Sequence, residues 1–256
     1  DFRRSRGLGD VYKRQDLNTA MGYAAMQANT TGQYNTAFGA YALDGNTTAS
    51  YNTAIGTYAL GDQTTGAQNT AVGFKALKYN TTANNNAAVG YEALHVNTTG
   101  TNLTAVGAYA LDANTTASNN SALGTSALTA NTTGTENTAS GGFALTSNTT
   151  ASYNTAMGYA ALYTNTTGAA NTAVGRSALY TNNGANNTAV GQRALFSNTT
   201  GTSNVAMGNN ALDANTTGIE NIAIGHYSLD ANTTGNYNVA IGPVSYTHLT
   251  LPTSSQ

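Results

Sequence analysis

Cysteine is absent from the 256 residues, which excludes disulfides, thiol catalysis and cysteine-held metals. Charge is nearly as scarce: 8% of residues are Asp, Glu, Lys or Arg, against about 25% in an ordinary globular domain. No apolar run approaches the ~20 residues that a membrane-crossing helix needs, so no membrane span is expected. Five of the nine Lys and Arg (Arg3, Arg4, Arg6, Lys13 and Arg14) precede residue 16. Without that cluster the chain has no basic patch for a nucleic acid.

What fills the chain instead is a repeat. An opening Asn returns at Asn18, Asn35, Asn52, Asn69, Asn86, Asn120, Asn137, Asn154 and Asn171 in steps of 17 or twice 17, with Leu103 in the gap. One step of 16 leads to Asn187, and steps of 17 resume through Asn204, Asn221 and Asn238. A fixed short period marks a repeat architecture, so equivalent positions are read as columns.

The flanks lack the repeat. Asp10-Val11-Tyr12-Lys13-Arg14-Gln15 can be encoded by GATGTGTATAAGAGACAG, and Val244-Ser245-Tyr246-Thr247-His248-Leu249 by GTCTCTTATACACATCT, which are reverse complements over their overlap. Both peptides therefore read as translated sequencing-library adapter, and residues 1–15 and 244–256 are set aside. The expected domain organisation is one repeat region, residues 16–243, as a fragment of a longer chain.

Four positions after the opening Asn stands Gly in all fourteen copies, from Gly22 to Gly242. The residue before it is apolar in thirteen of fourteen, Ser140 being the exception, and the one before that is Ala every time. Such alternation predicts a strand, with Thr155 and Met157 on one face and Asn154, Ala156 and Gly158 on the other. Substitution of the Thr column by Val205, Ile222 and Val239 suggests that the Thr and Met face is the buried one. The unbroken Ala column would then be an outward strip of small side chains where a second chain docks. A second short segment carries Ala-Leu, for example Ala127-Leu128, and Leu128 is placed inside. Each unit closes on Asn-Thr-Thr and Gly or Ala, residues suited to a corner. Helix is disfavoured by recurrent Gly and Thr.

Seventeen residues at ~3.3 Å suit one coil of two short strands and two turns. The fold expected is all-β, a parallel β-solenoid or β-roll of about fourteen coils, with about two large side chains buried in each. The corner Asn column (Asn29, Asn46, Asn80, Asn97, Asn114, Asn131, Asn148) should form an amide ladder, which Gln63 would preserve. Corners alternate Gly and Ala from Gly32 to Gly168, a pattern read as a trace of duplication.

Asn204-Val205-Ala206-Met207-Gly208 and Asn238-Val239-Ala240-Ile241-Gly242 resemble the YadA-like head repeat of trimeric autotransporter adhesins, whose motif runs Ser-Val-Ala-Ile-Gly. The present period of 17 is longer than that family's. Similar Asn-Thr-Ala-x-Gly-x-x-Ala-Leu repeats occur in bacterial surface proteins and phage tail-fibre-like proteins. The resemblance implies a left-handed roll, a homotrimer, and an extracellular place on a bacterial surface or a virion fibre.

Little in the repeat region points to catalysis. His95 and His226 are nearly eight coils apart. Ser177 lacks the Gly that a nucleophile elbow needs where Leu179 stands. Asp213 and Asp230 share a column but read as solvated turn carboxylates, since a calcium site wants six or more oxygens. The Asn-Thr-Thr sequons are explained by their corner role, and the enriched Tyr read as coil-edge cover with some capacity for polar contact. The expectation is a non-enzymatic adhesive or structural segment, without cofactor or metal, whose ligand is a host-surface or matrix component. The alternatives are a tail-fibre-like segment and a regular Thr/Asn face that binds ice or polysaccharide.

Overall fold

The computed structural model describes residues 17–243, so the adapter reading of the two flanks falls outside the described residues. Fourteen three-residue strands, from β1 (Thr19–Met21) to β14 (Val239–Ile241), form one parallel sheet in chain order. Register is in phase with the repeat: Thr155, Ala156 and Met157 pair with Thr172, Ala173 and Val174. The 16-residue step keeps it, since Thr172 pairs with Thr188. The architecture is the expected β-solenoid. At roughly 4.8 Å per coil the rod is about 62 Å long.

The alternation is as expected, but the faces are reversed. Ala54, Ala88, Ala156 and their equivalents are fully buried, whereas Phe38, Leu123 and Met157 are 51%, 55% and 47% exposed. Thr positions are exposed or half-exposed along the whole column. The reason is thickness. Behind each strand lies the Ala-Leu segment of the same coil, with Ala161 and Leu162 both fully buried, and a slot between two such close layers admits a methyl group but not a Met or Phe. The Ala column is thus core, not a docking strip, and the apolar residue before each Gly faces out.

Each coil also has one strand rather than two, and buries one large side chain rather than two, except the coil that holds both Leu103 and Leu111. Leu128, Leu145 and Leu162 fill successive coils with two Ala apiece. The Ala-Leu segment is a turn because two of its residues are left-handed: φ is 54° at Ala160 and 53° at Leu162. A left-handed Leu costs about 1 kcal/mol or more. The conformation sends alternate N–H groups in opposite directions, Ala160 to the Gly142 carbonyl behind (3.0 Å) and Leu162 to the Ala178 carbonyl ahead (3.0 Å). The residue before each opening Asn is left-handed too, as at Tyr153 (φ 64°). Left-handed backbone therefore sits outside the Asn-Thr-Thr corners. Strand-ending Gly158 has φ +134°, and a Cβ there would stand 2.6 Å from the Gly175 carbonyl oxygen, which accounts for a Gly column without exceptions.

Two buried amide ladders run along the rod. In the expected one, Asn131 Nδ2 donates to Asn114 Oδ1 (3.2 Å) and Asn148 Nδ2 to Asn131 Oδ1 (2.9 Å). The second, unforeseen, uses the opening Asn: Asn154 Oδ1 accepts the Asn171 backbone N–H (3.0 Å), and Asn154 Nδ2 donates to the Gly168 carbonyl (3.0 Å). Asn165 Nδ2 reaches the same carbonyl (2.9 Å), so both ladders meet at the corner. The first corner Thr adds a third set of bonds, such as Thr132 Oγ1 to the Thr149 carbonyl (3.1 Å). In the shortened coil the Asn183 side chain replaces a missing backbone carbonyl, accepting both Thr166 N–H and Thr166 Oγ1 at 2.8 Å. Gly is structurally required at the corners where it stands, because a Cβ on Gly134 would overlap the Ala151 carbonyl oxygen.

Gln63 preserves the ladder on one side only. Its Oε1 accepts from Asn80 Nδ2 (3.1 Å), but the longer side chain leaves Asn46 Oδ1 and its own Nε2 buried without partners. Each such group costs ~1 to 3 kcal/mol. Gln63→Asn should therefore raise Tm in a thermal melt; an unchanged or lower Tm would mean that the rung is not restored. Leu128→Asp is expected to lower Tm sharply, because an unpaired buried carboxylate costs several kcal/mol.

Candidate functional site

Since coils stack in register, a side chain that recurs in one column meets its own copies. Aromatics do so on the limb between each strand-ending Gly and the next corner. Tyr163 stacks on Tyr180 and Tyr180 on Phe196, each at 5.0 Å between ring centres and within 15° of parallel. Phe143 meets Tyr159 edge-on at 5.8 Å. These two groups form walls of a cleft of about 390 Å³, also lined by Arg176, Ser177 and Arg193. Arg193 is tied down: Nε and Nη2 donate to Asp213 Oδ1 (3.3 Å) and Oδ2 (3.1 Å), and the guanidinium lies 4.0 Å from the Phe196 ring centre. Arg176 is exposed.

A second aromatic group lies nearer the start of the rod, where Tyr41 and Tyr58 stack at 4.8 Å and Lys78 stands 4.4 Å from the Tyr79 ring. Lys78 Nζ also donates to Tyr79 Oη (3.1 Å), and Lys75 pairs with Glu92 (3.4 Å). Burial, and then the charge of Asp62, hold the Asp44 carboxyl above the usual carboxylate range, with Lys78 acting in the opposite sense.

The residues weighed for chemistry remain apart. His95 leans on Tyr79, with ring centres 5.0 Å apart, and stands 3.7 Å from Asp112. His226 packs edge-on against Tyr227 at 4.2 Å. Asp213 pairs with Arg193. Among the described residues no three His, Cys, Asp or Glu are grouped to hold a metal. Corner asparagines such as Asn131 and Asn148 are fully buried with their amides bonded, so within the folded rod their sequons offer no free amide to a glycan. The cleft was missed in the sequence. Its signal was present in the residue after each Leu (Tyr163, Tyr180, Phe196) beside two of the few cations. No protein-family model matches the chain, and no curated protein matches it.

For Asp44 the raised folded-state pKa gives a definite sign. The folded protein favours the neutral carboxyl, so stability falls as pH rises from the ordinary carboxylate value of ~4 through the raised one, and stays lower above it. Asp44→Asn should raise Tm at pH 7 and leave it unchanged near pH 3; an equal gain at both would assign the effect to something other than ionisation.

Proposed function

We propose that this chain is a non-enzymatic segment of a surface-exposed fibrous protein, associated as a homotrimer through its outward strand face and serving to display adhesive surfaces. The outward apolar column carries the reading. Met21, Phe38, Ile55, Leu123, Met157, Met207, Ile224 and Ile241 are each at least 37% exposed, in register along the sheet. At about 62 Å long and ~7 Å between outward columns, that face with its Thr column covers on the order of 400 Å², the size of the largest patch on a typical monomer, which is often functional. A chain so poor in charge has little else to keep such a strip in water. Further copies of the same straight face, with the same coil spacing, are the complementary occupant. The likeness to YadA-like heads agrees with this, and extends to an extracellular location on a bacterial surface or virion fibre. The wide separation of His95 and His226 supports the non-enzymatic reading.

A second reading has gained a specific observation. The Thr column faces outward beside the apolar one, forming a flat and regular two-column array suited to ice or a crystalline polysaccharide. Where Ile or Val stands in this column the side chain also faces outward, Ile222 and Val239 being 37% and 67% exposed.

Sedimentation at micromolar concentration separates the two. A trimer is expected, and the pair Leu123→Glu and Met157→Glu should convert it to folded monomer, since exposed substitutions seldom cost more than ~0.5 kcal/mol within a chain. A compact wild-type monomer that inhibits ice recrystallisation would replace the trimeric reading with the second one.

A further inference from the structure

We infer that the cleft lined by Tyr159, Tyr163, Arg176, Tyr180, Arg193 and Phe196 binds a carboxylated glycan, a chain that bears uronic acids. This names a ligand class for the adhesive reading and rests on it.

The first ground is charge. The described residues hold four Lys and Arg: Lys75, Lys78, Arg176 and Arg193. Lys75 is paired with Glu92, Arg193 with Asp213, and Lys78 is bonded to Tyr79 Oη. Among the described residues Arg176 alone has a cationic head without a hydrogen-bond, ion-pair or ring partner, and it lines the cleft. A guanidinium presents a planar fork that matches a carboxylate in bidentate fashion.

The second ground is shape. Tyr159 is 55% exposed, so much of its ring is open to the apolar face of a pyranose. Tyr163, Tyr180 and Phe196 add a row of stacked rings at 5.0 Å spacing to the lining. Tyrosine combines an apolar body with a hydroxyl tip, as a sugar surface demands. The volume of about 390 Å³ falls in the range of small-ligand sites and suits one or two sugar rings.

The backbone argues against a peptide. Ser177 N–H donates to the Tyr159 carbonyl (2.9 Å) and Arg193 N–H to the Arg176 carbonyl (3.0 Å), so the main-chain groups that would add a peptide strand are already used between coils. A nucleic acid would require several phosphate contacts, where the four Lys and Arg of the described residues include one cationic head without a partner. All six residues follow the strand-ending Gly of their coils and lie outside the strands that carry the outward apolar column.

The test is calorimetric titration of the full chain with an oligogalacturonide and with its fully methyl-esterified form, on samples whose oligomeric state is read in parallel by sedimentation. Binding of the acid and not of the ester is expected. Arg176→Gln should weaken binding at least tenfold, Arg176→Lys by less, and Tyr159→Ala should weaken it with Tm unchanged. Equal binding of acid and ester, indifference to Arg176→Gln, or tighter binding of dextran sulfate than of the oligogalacturonide would overturn the inference. A trimer that binds neither glycan would reject the cleft while leaving the assembly reading intact; a monomer that binds the acid would do the reverse.

Discussion

The fold depends on hydrogen bonds that run along the rod, from each coil to the next, and above all on those made by buried asparagine. An amide carries a donor and an acceptor on opposite sides of one small group, so a column of identical amides satisfies itself whatever its length. Asn148 Nδ2 donates to Asn131 Oδ1, and Asn148 Oδ1 accepts in turn from Asn165 Nδ2. Burying a polar group in a dry interior is costly unless it is bonded. The ladders turn that cost into a demand for register: a coil displaced by one residue would leave every amide near it unpaired. Gln63 gives the measure, since one added methylene strands two polar atoms.

Register then determines the rest. With copies of one coil held directly above each other, the strand-ending glycines pass so closely that Gly158 has no room for a side chain over the Gly175 carbonyl. The apolar part of the interior is narrowed to two small residues and one large one in nearly every coil, and left-handed leucines are tolerated because their side chains are enclosed. Contacts between strands join only neighbours in sequence, so stability is a sum over adjacent pairs rather than the property of one core. A rod this thin excludes its larger apolar residues, which line up on the outer strand face.

The same regularity makes a local departure conspicuous. Inward columns hardly change along the chain, whereas the column after each Leu passes through Asp44, Lys78, His95, Asp112, Tyr163, Tyr180 and Phe196. Stacking converts such variation into surface character: an acidic and cationic stretch near one end, and an aromatic cleft with an unpaired arginine further along. The backbone supplies the spacing, and the outward side chains supply the recognition.

The sequence by itself determined the period, the strand in each coil, the stacking of identical columns and the corner amide ladder, because each follows from spacing alone. It could not determine which face of the strand is inside. A period of two is unchanged when its faces are exchanged, and the usual guide, that larger apolar residues lie within, fails where the cavity admits only a methyl group. Leu123 and Met157 were therefore placed on the wrong side of Ala122 and Ala156. The second Asn ladder, the broken rung at Gln63 and the left-handed Leu162 were likewise settled only by tertiary structure, since each depends on the distance between two segments that no single coil contains.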